Sequence, residues 1–222
     1  MATGKDKIVS GEYYHVLNRG NNKQNIFIDD RDRVRLLFLI LYFQSSTSIY
    51  NIGRPVSYFV KHQMFNKSND LLEKILKNRI IELVNFSLMP NHFHLILYSN
   101  KENGISSYMQ RIQNSYTKYF NTRHNKSGHL FQGVFKRIHI KNNEQLLHLS
   151  AYIHRNPREL SQWKNKENKY PWSSYQDCVG ENRWGELLKP KIITGQFSSP
   201  KEYQNFVENS GTKLNLEKEH LV

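Results

Sequence analysis

The chain has 222 residues, with 32 Lys and Arg against 19 Asp and Glu, a formal net charge of +13 and a single cysteine, Cys178. One cysteine excludes an internal disulfide framework and a Cys-rich zinc module and suits a reducing cytosol, and no apolar run nears the roughly 20 residues that cross a bilayer. The length is that of one domain with a core of its own, the first residues lack the apolar stretch of a secretory signal, and the excess of positive charge points to a polyanionic partner.

In chain order, Tyr13-Tyr14-His15-Val16-Leu17 reads as a strand closed by a turn at Arg19-Gly20-Asn21-Asn22. Asp29 or Asp30 caps a helix from Arg31 to Phe43, with Val34, Leu37, Phe38 and Leu41 on one face. Residues 45–78 carry Gly53, Pro55 and a Ser/Thr run, and read as a surface insertion with a short helix, anchored by Val56, Phe59, Val60 and Phe65. Two β-rich runs around Pro90-Asn91 form a hairpin whose second strand is apolar enough to be covered on both faces. A helix follows over 102–123, its stripe made by Ile105, Met109, Ile112, Tyr116 and Tyr119. Leu130 to Ile140 reads as a strand, Asn142 to His154 as a helix stopped by Pro157, and the chain beyond Pro171 as irregular. Strand, helix, hairpin, helix, strand is the split βαβ, ferredoxin-like arrangement, an α+β fold with helices on one face of an antiparallel sheet. One domain over 1–180, with the insertion inside it, and a C-terminal extension over 181–222 is the expected organisation.

The sharpest chemical feature is His92-Phe93-His94. Residues i and i+2 of a strand share a face, so the two imidazoles stand together and Phe93 points the other way. Two nitrogens at that spacing suit one divalent cation with positions left for phosphate oxygens. The plain alternative is a pair of half-buried histidines, but a polar pair in an apolar strand is costly without partners. Phosphodiester chemistry needs a nucleophile, and no Ser-His-Asp pattern is present. Tyr116, which the stripe turns toward the sheet, and its neighbour Tyr119 are the candidates, against the alternative that both are core aromatics.

Several blocks occur in a telling order: His15 to Asn22, Met89-Pro90-Asn91-His92-Phe93-His94-Leu95, Tyr116 to Asn121, Gly128 to Gly133, Tyr152-Ile153-His154-Arg155-Asn156-Pro157 and Trp172-Ser173-Ser174-Tyr175. Over about residues 13–180 the chain resembles the single-tyrosine HUH transposases (IS200-like), and more narrowly the REP-associated tyrosine transposases. The resemblance implies a metal-dependent endonuclease that cleaves and rejoins single-stranded DNA beside hairpin or palindromic repeats through a 5′-phosphotyrosine. It implies His92 and His94 as ligands of Mg²⁺ or Mn²⁺ and Tyr116 as the nucleophile, with Tyr119 as the alternative. Relatives outside the subgroup carry a third ligand, a glutamine, one helical turn after the tyrosine. Here Phe120 stands there and cannot ligate; Gln113 is one turn before Tyr116, and Asn121, the metal candidate, lies about 140° around the helix.

Arg19, Asn91, Lys118, Arg123, Lys136, Arg137 and Arg155 are the candidate DNA contacts, in a basic cluster that supplies affinity without sequence. The expected setting is the bacterial cytosol at the nucleoid, as monomer or homodimer, without a membrane or a small-molecule cofactor. Two rivals predict other outcomes: a hairpin DNA or RNA binder of the same fold without turnover, and a metal hydrolase that uses water and leaves no covalent adduct.

Overall fold

The computed structural model describes residues 7–66 and 68–210. Its centre is a four-stranded antiparallel sheet of β1 (Tyr13–Arg19), β2 (Ile81–Met89), β3 (His92–Ser99) and β4 (Lys136–Ile140), in the order β2-β3-β1-β4. Helix α1 (Asp30–Tyr42) connects β1 to β2 across β3, and α4 (Gly104–Arg123) connects β3 to β4 across β1. These are the two crossovers of the split βαβ arrangement, and their shared handedness puts both helices on one face. Asp29 is the residue that caps α1, its carboxylate accepting from the Asp32 amide at 3.1 Å.

The α1/α4 face is an apolar layer. Val16, Phe86, Leu88, Phe93, Leu95 and Leu97 of the strands meet Leu37, Phe38, Ile112, Tyr116 and Phe120 of the helices, all at most 1% exposed. The insertion at 45–78 holds two helices, α2 (Gly53–His62) and α3 (Asn69–Lys77), rather than one. It joins the same layer, Phe59 and Phe65 packing edge-on to Phe38 at 5.6 and 5.5 Å between ring centroids.

The second face is covered too. Helix α5 (Asn143–Arg155) lies against it, followed by α6 (Tyr175–Val179), α7 (Lys191–Thr194) and α8 (Pro200–Asn209), so helices sit on both sides of the sheet. Val84, Ile96 and Ile140 are buried there with Leu146, Leu149 and Ile153. The stretch expected to be irregular beyond Pro171 is therefore built of short helices, too brief for a 3.6-residue periodicity to announce itself. Residues 181–210 are not a detachable extension: Trp184 and Tyr203 are each fully buried, one in each layer. The last twelve residues of the expected extension, 211–222, lie outside the described residues.

One strand boundary differs from the sequence reading. The strand expected from Leu130 begins at Lys136, because Gly133 takes φ +76° and turns the chain before β4. Trp172-Ser173-Ser174 docks along the edge of β2 by backbone bonds, Leu88 N to Trp172 O at 2.9 Å and Ser174 N to Phe86 O at 3.0 Å. That block covers an otherwise open strand edge.

Candidate active site

The register fixes which side chains share the second face. His94 of β3 is opposite Leu17 of β1 and Ser87 of β2, and His92 is opposite Arg19 and Met89. His92, His94, His15 and Arg19 thus project from one side, and Phe93 from the other. His92 and His94 are 8% and 1% exposed, with ring centroids 5.0 Å apart and ring planes perpendicular. His15 stacks on His94 at 5.1 Å, its Nε2 2.9 Å from His94 Nδ1.

Those contacts orient each ring for ligation. The side-chain oxygen of Asn91 accepts from His92 Nδ1 at 2.7 Å, which leaves the lone pair on Nε2. When His94 Nδ1 carries its proton and donates to His15, its Nε2 is likewise a free acceptor; that atom is buried and makes no hydrogen bond. Burial, with the positive charge of Arg19 next, lowers His92 to about 4. Burial, then His92, His15 and Arg19, drives His94 well below the ordinary imidazole range. Both are neutral at pH 7, as a metal requires. Among the described residues no three His, Cys, Asp or Glu side chains converge as a metal site, so any further protein ligand for a cation at this pair would be of another type.

Helix α5 supplies the candidate. The Tyr152 ring is 5.8 Å from that of His94 and perpendicular to it. One turn on, Asn156 lies on the same helical face, 4% exposed, with an amide nitrogen that has no partner. The two amide ends are interchangeable by rotation, so the same group offers its oxygen to a cation.

A closed ring of buried hydrogen bonds holds α5 in place. The Asn85 amide donates to Ser150 Oγ (2.8 Å), Ser150 Oγ meets Tyr203 Oη (2.6 Å), and Tyr203 Oη meets His154 Nδ1 (2.8 Å). His154 Nε2 meets Ser174 Oγ (2.9 Å), which donates back to Asn85 Oδ1 (3.0 Å). The ring ties β2, α5, α8 and the Ser174 turn together behind Tyr152. Burial lowers His154 to about 3, so it serves as a neutral donor and acceptor.

Tyr116 is elsewhere. It is fully buried in the α1/α4 layer, on the Phe93 side of the sheet, packed on Phe27, Phe120 and Phe131, and its hydroxyl donates to the Ile26 carbonyl at 2.6 Å. The sheet stands between it and the histidines, so the expected pairing of Tyr116 with His92 and His94 fails on geometry. Tyr119 bonds Asp32 at 3.1 Å in the same layer. Asn121 bonds the Gly128 carbonyl at 3.0 Å and closes the turn after α4, which removes it as a ligand of this pair. Arg123 forms ion pairs with Asp29 and Asp32, both at 2.6 Å.

Of the other basic candidates, Arg19 and Lys136 lie on the histidine face; Lys136 is two strands from His94, through Leu17. Arg155 closes α5, half-buried, with one unpartnered guanidinium nitrogen. Asn91 orients His92 and donates to Lys23 O at 3.2 Å. Lys118 and Arg137 line a groove on the far face. Tyr152 and Asn156 carried a readable signal: a tyrosine with a ligating side chain four residues on, which Tyr116 lacks.

Residues 55–156 match the family model described as "Transposase IS200 like". Among solved structures the chain is similar to a REP-associated tyrosine transposase bound to a REP hairpin, 16% identical with a TM-score of 0.52, over 90% of this chain and 96% of that one. Among curated proteins none matches. At that identity the structural likeness speaks for the fold. The matched segment contains His92, His94, Tyr152 and Asn156.

Proposed function

We propose that the protein cleaves and rejoins single-stranded DNA beside a hairpin, in the manner of the REP-associated subgroup, with Tyr152 as nucleophile. His92, His94 and Asn156 would hold a divalent cation, Mg²⁺ or Mn²⁺. The observation that carries this reading is the Tyr152 ring 5.8 Å from His94 on the one sheet face where His94 Nε2 is buried without a partner. When bound, the cation supplies charge that polarises the phosphoryl oxygens.

The chain's own groups account for the rest. Tyr152 Oη forms a bond to phosphorus while the bond from phosphorus to O3′ breaks, and the departing oxygen takes a proton to become a 3′-hydroxyl. A phenol ordinarily titrates near pH 10, so its proton leaves as the new bond forms. Arg19, beside His92, adds positive charge where the phosphate gains negative charge. One phosphoester replaces another, so the reverse reaction rejoins DNA without a nucleoside triphosphate. The α5 hydrogen-bond ring keeps Tyr152 from having to be ordered at each turnover. The histidines and Tyr152 belong to one chain, so a monomer contains every group that the reaction needs.

The test is incubation with labelled single-stranded hairpin DNA and Mn²⁺, followed by a denaturing gel. Wild type and Tyr116→Phe should give a covalent protein–DNA band that Tyr152→Phe and His92→Ala lack. Binding without an adduct would favour the non-catalytic binder, and cleavage without one the hydrolase.

A further inference from the structure

Ser87 is a polar residue of β2 buried without a partner. It stands opposite His94 in the sheet and, like Asn85 two residues before it, projects to the histidine face, while Phe86 and Leu88 enter the α1/α4 layer. Its side chain is 0% exposed, and among the described residues its hydroxyl has no hydrogen-bond partner. Asn85 and Ser174, close by, are instead bonded into the ring that pins α5. A buried hydroxyl with no partner costs stability that an alanine in its place would not.

The hydroxyl oxygen can accept hydrogen bonds, and few donors on this face lack an acceptor. Among the described residues they are Arg19 Nε, one guanidinium nitrogen of Arg155 and the Asn156 amide nitrogen. Arg19 is on β1, two strand spacings or about 10 Å from β2. Arg155 and Asn156 are successive and so about 100° apart around the helix. Arg155 is half-buried and Asn156 buried, so Asn156 is the one turned inward. The bond from the Asn85 amide to Ser150 Oγ, at 2.8 Å, sets α5 on β2. Tyr152, two residues on, lies by His94, the residue opposite Ser87, so α5 advances in the same sense as β2. From Ser150 to Asn156 the helix rises about 9 Å, and from Asn85 to Ser87 the strand about 7 Å. The turn over Asn156–Glu159 also lies against β2. The unsatisfied amide and the unsatisfied hydroxyl thus come to the same stretch of one buried face.

We propose that Ser87 is a positioning residue for Asn156: its oxygen accepts from the Asn156 amide nitrogen and so turns the amide oxygen to the cation held with His92 and His94. The inference rests on the metal site proposed above and gives Ser87 no contact with cation or DNA. An amide whose oxygen is on a cation still has two N–H donors to satisfy, and Ser87 supplies a buried acceptor for one of them. The test is Mn²⁺ calorimetry without DNA, beside denaturant unfolding in EDTA. Ser87→Ala should weaken Mn²⁺ binding about tenfold or more and leave the unfolding midpoint in EDTA unchanged or raised, a pairing that a merely structural hydroxyl would not give. In an Asn156→Ala background, where Mn²⁺ binding is already weakened, Ser87→Ala should bring no further loss. Unchanged Mn²⁺ binding in Ser87→Ala, a lowered midpoint in EDTA, or the full loss repeated in the Asn156→Ala background overturns the positioning role. The metal site survives each of these results as long as wild type binds Mn²⁺ and His92→Ala does not. Wild type that binds no Mn²⁺, or binding that persists in His92→Ala, overturns the metal site and the role of Ser87 with it.

Discussion

The two faces of the sheet are built from opposite materials. On the α1/α4 side, Phe86, Phe93, Leu95 and Leu97 meet leucines, isoleucines and aromatic rings, and even Tyr116 and Tyr108 direct their hydroxyls to backbone carbonyls. On the α5 side, four histidines, two serines and an asparagine are buried among the strands and α5, some in a closed ring and some with atoms that have no partner. Apolar burial is the stabilising term, at about 25 cal/mol per Å². Buried polar groups cost free energy unless they are satisfied. The first face holds the fold together, and the second spends part of that stability on buried polar side chains.

Adjacent residues of β3 make the sharpest contrast. Phe93→Ala should cost about 3–5 kcal/mol in denaturant unfolding. His94→Ala should cost far less, yet abolish Mn²⁺ binding in calorimetry. Asn91→Ala, which frees the His92 ring, should weaken that binding by roughly 10–100-fold. Equal destabilisation by Phe93→Ala and His94→Ala with retained Mn²⁺ binding would erase the division between the faces.

The hydrogen-bond ring comes next. Asn85→Ala strands Ser150 and Ser174, at about 1–3 kcal/mol, and should slow adduct formation beyond what reduced stability explains, because α5 is no longer pinned. Acid should act on the same face. The folded pKa of His154 is lowered to about 3, so below about pH 6.5 the unfolded chain binds a proton that the folded one does not. Stability should therefore be level above pH 6.5 and fall by up to about 1.4 kcal/mol per pH unit as pH drops toward 3, more steeply with His92 and His94 added. A flat profile from pH 7 to 4 in EDTA would mean that these histidines are not held neutral. The smallest effect belongs to Tyr116→Phe, the loss of one buried hydrogen bond worth about 1 kcal/mol, with adduct formation unaltered.

Much of this was legible in the sequence. The hairpin, the helices from about 30, 104 and 143, the split βαβ order and the i, i+2 histidine pair all follow from local periodicity and turn chemistry. The partner of the histidines was harder, because periodicity says that Tyr116 faces a sheet and not which side of it. Topology held the missing step. Both crossover helices fall on the Phe93 side, so the helix ending at Asn156-Pro157 has to cover the histidines, and its Tyr152 and Asn156 have the one-turn spacing that Tyr116 and Phe120 cannot use. The α5 ring was not legible at all. Its members are drawn from positions between 85 and 203, and none stands out by composition.

The central claim is that the reactive tyrosine lies on the histidine face. Trapping the covalent complex on hairpin DNA with Mn²⁺, digesting both components and mapping the nucleotide-bearing peptide by mass spectrometry tests it directly. The account predicts the modification on Tyr152; a nucleotide on Tyr116, in the core on the other side of the sheet, would contradict it.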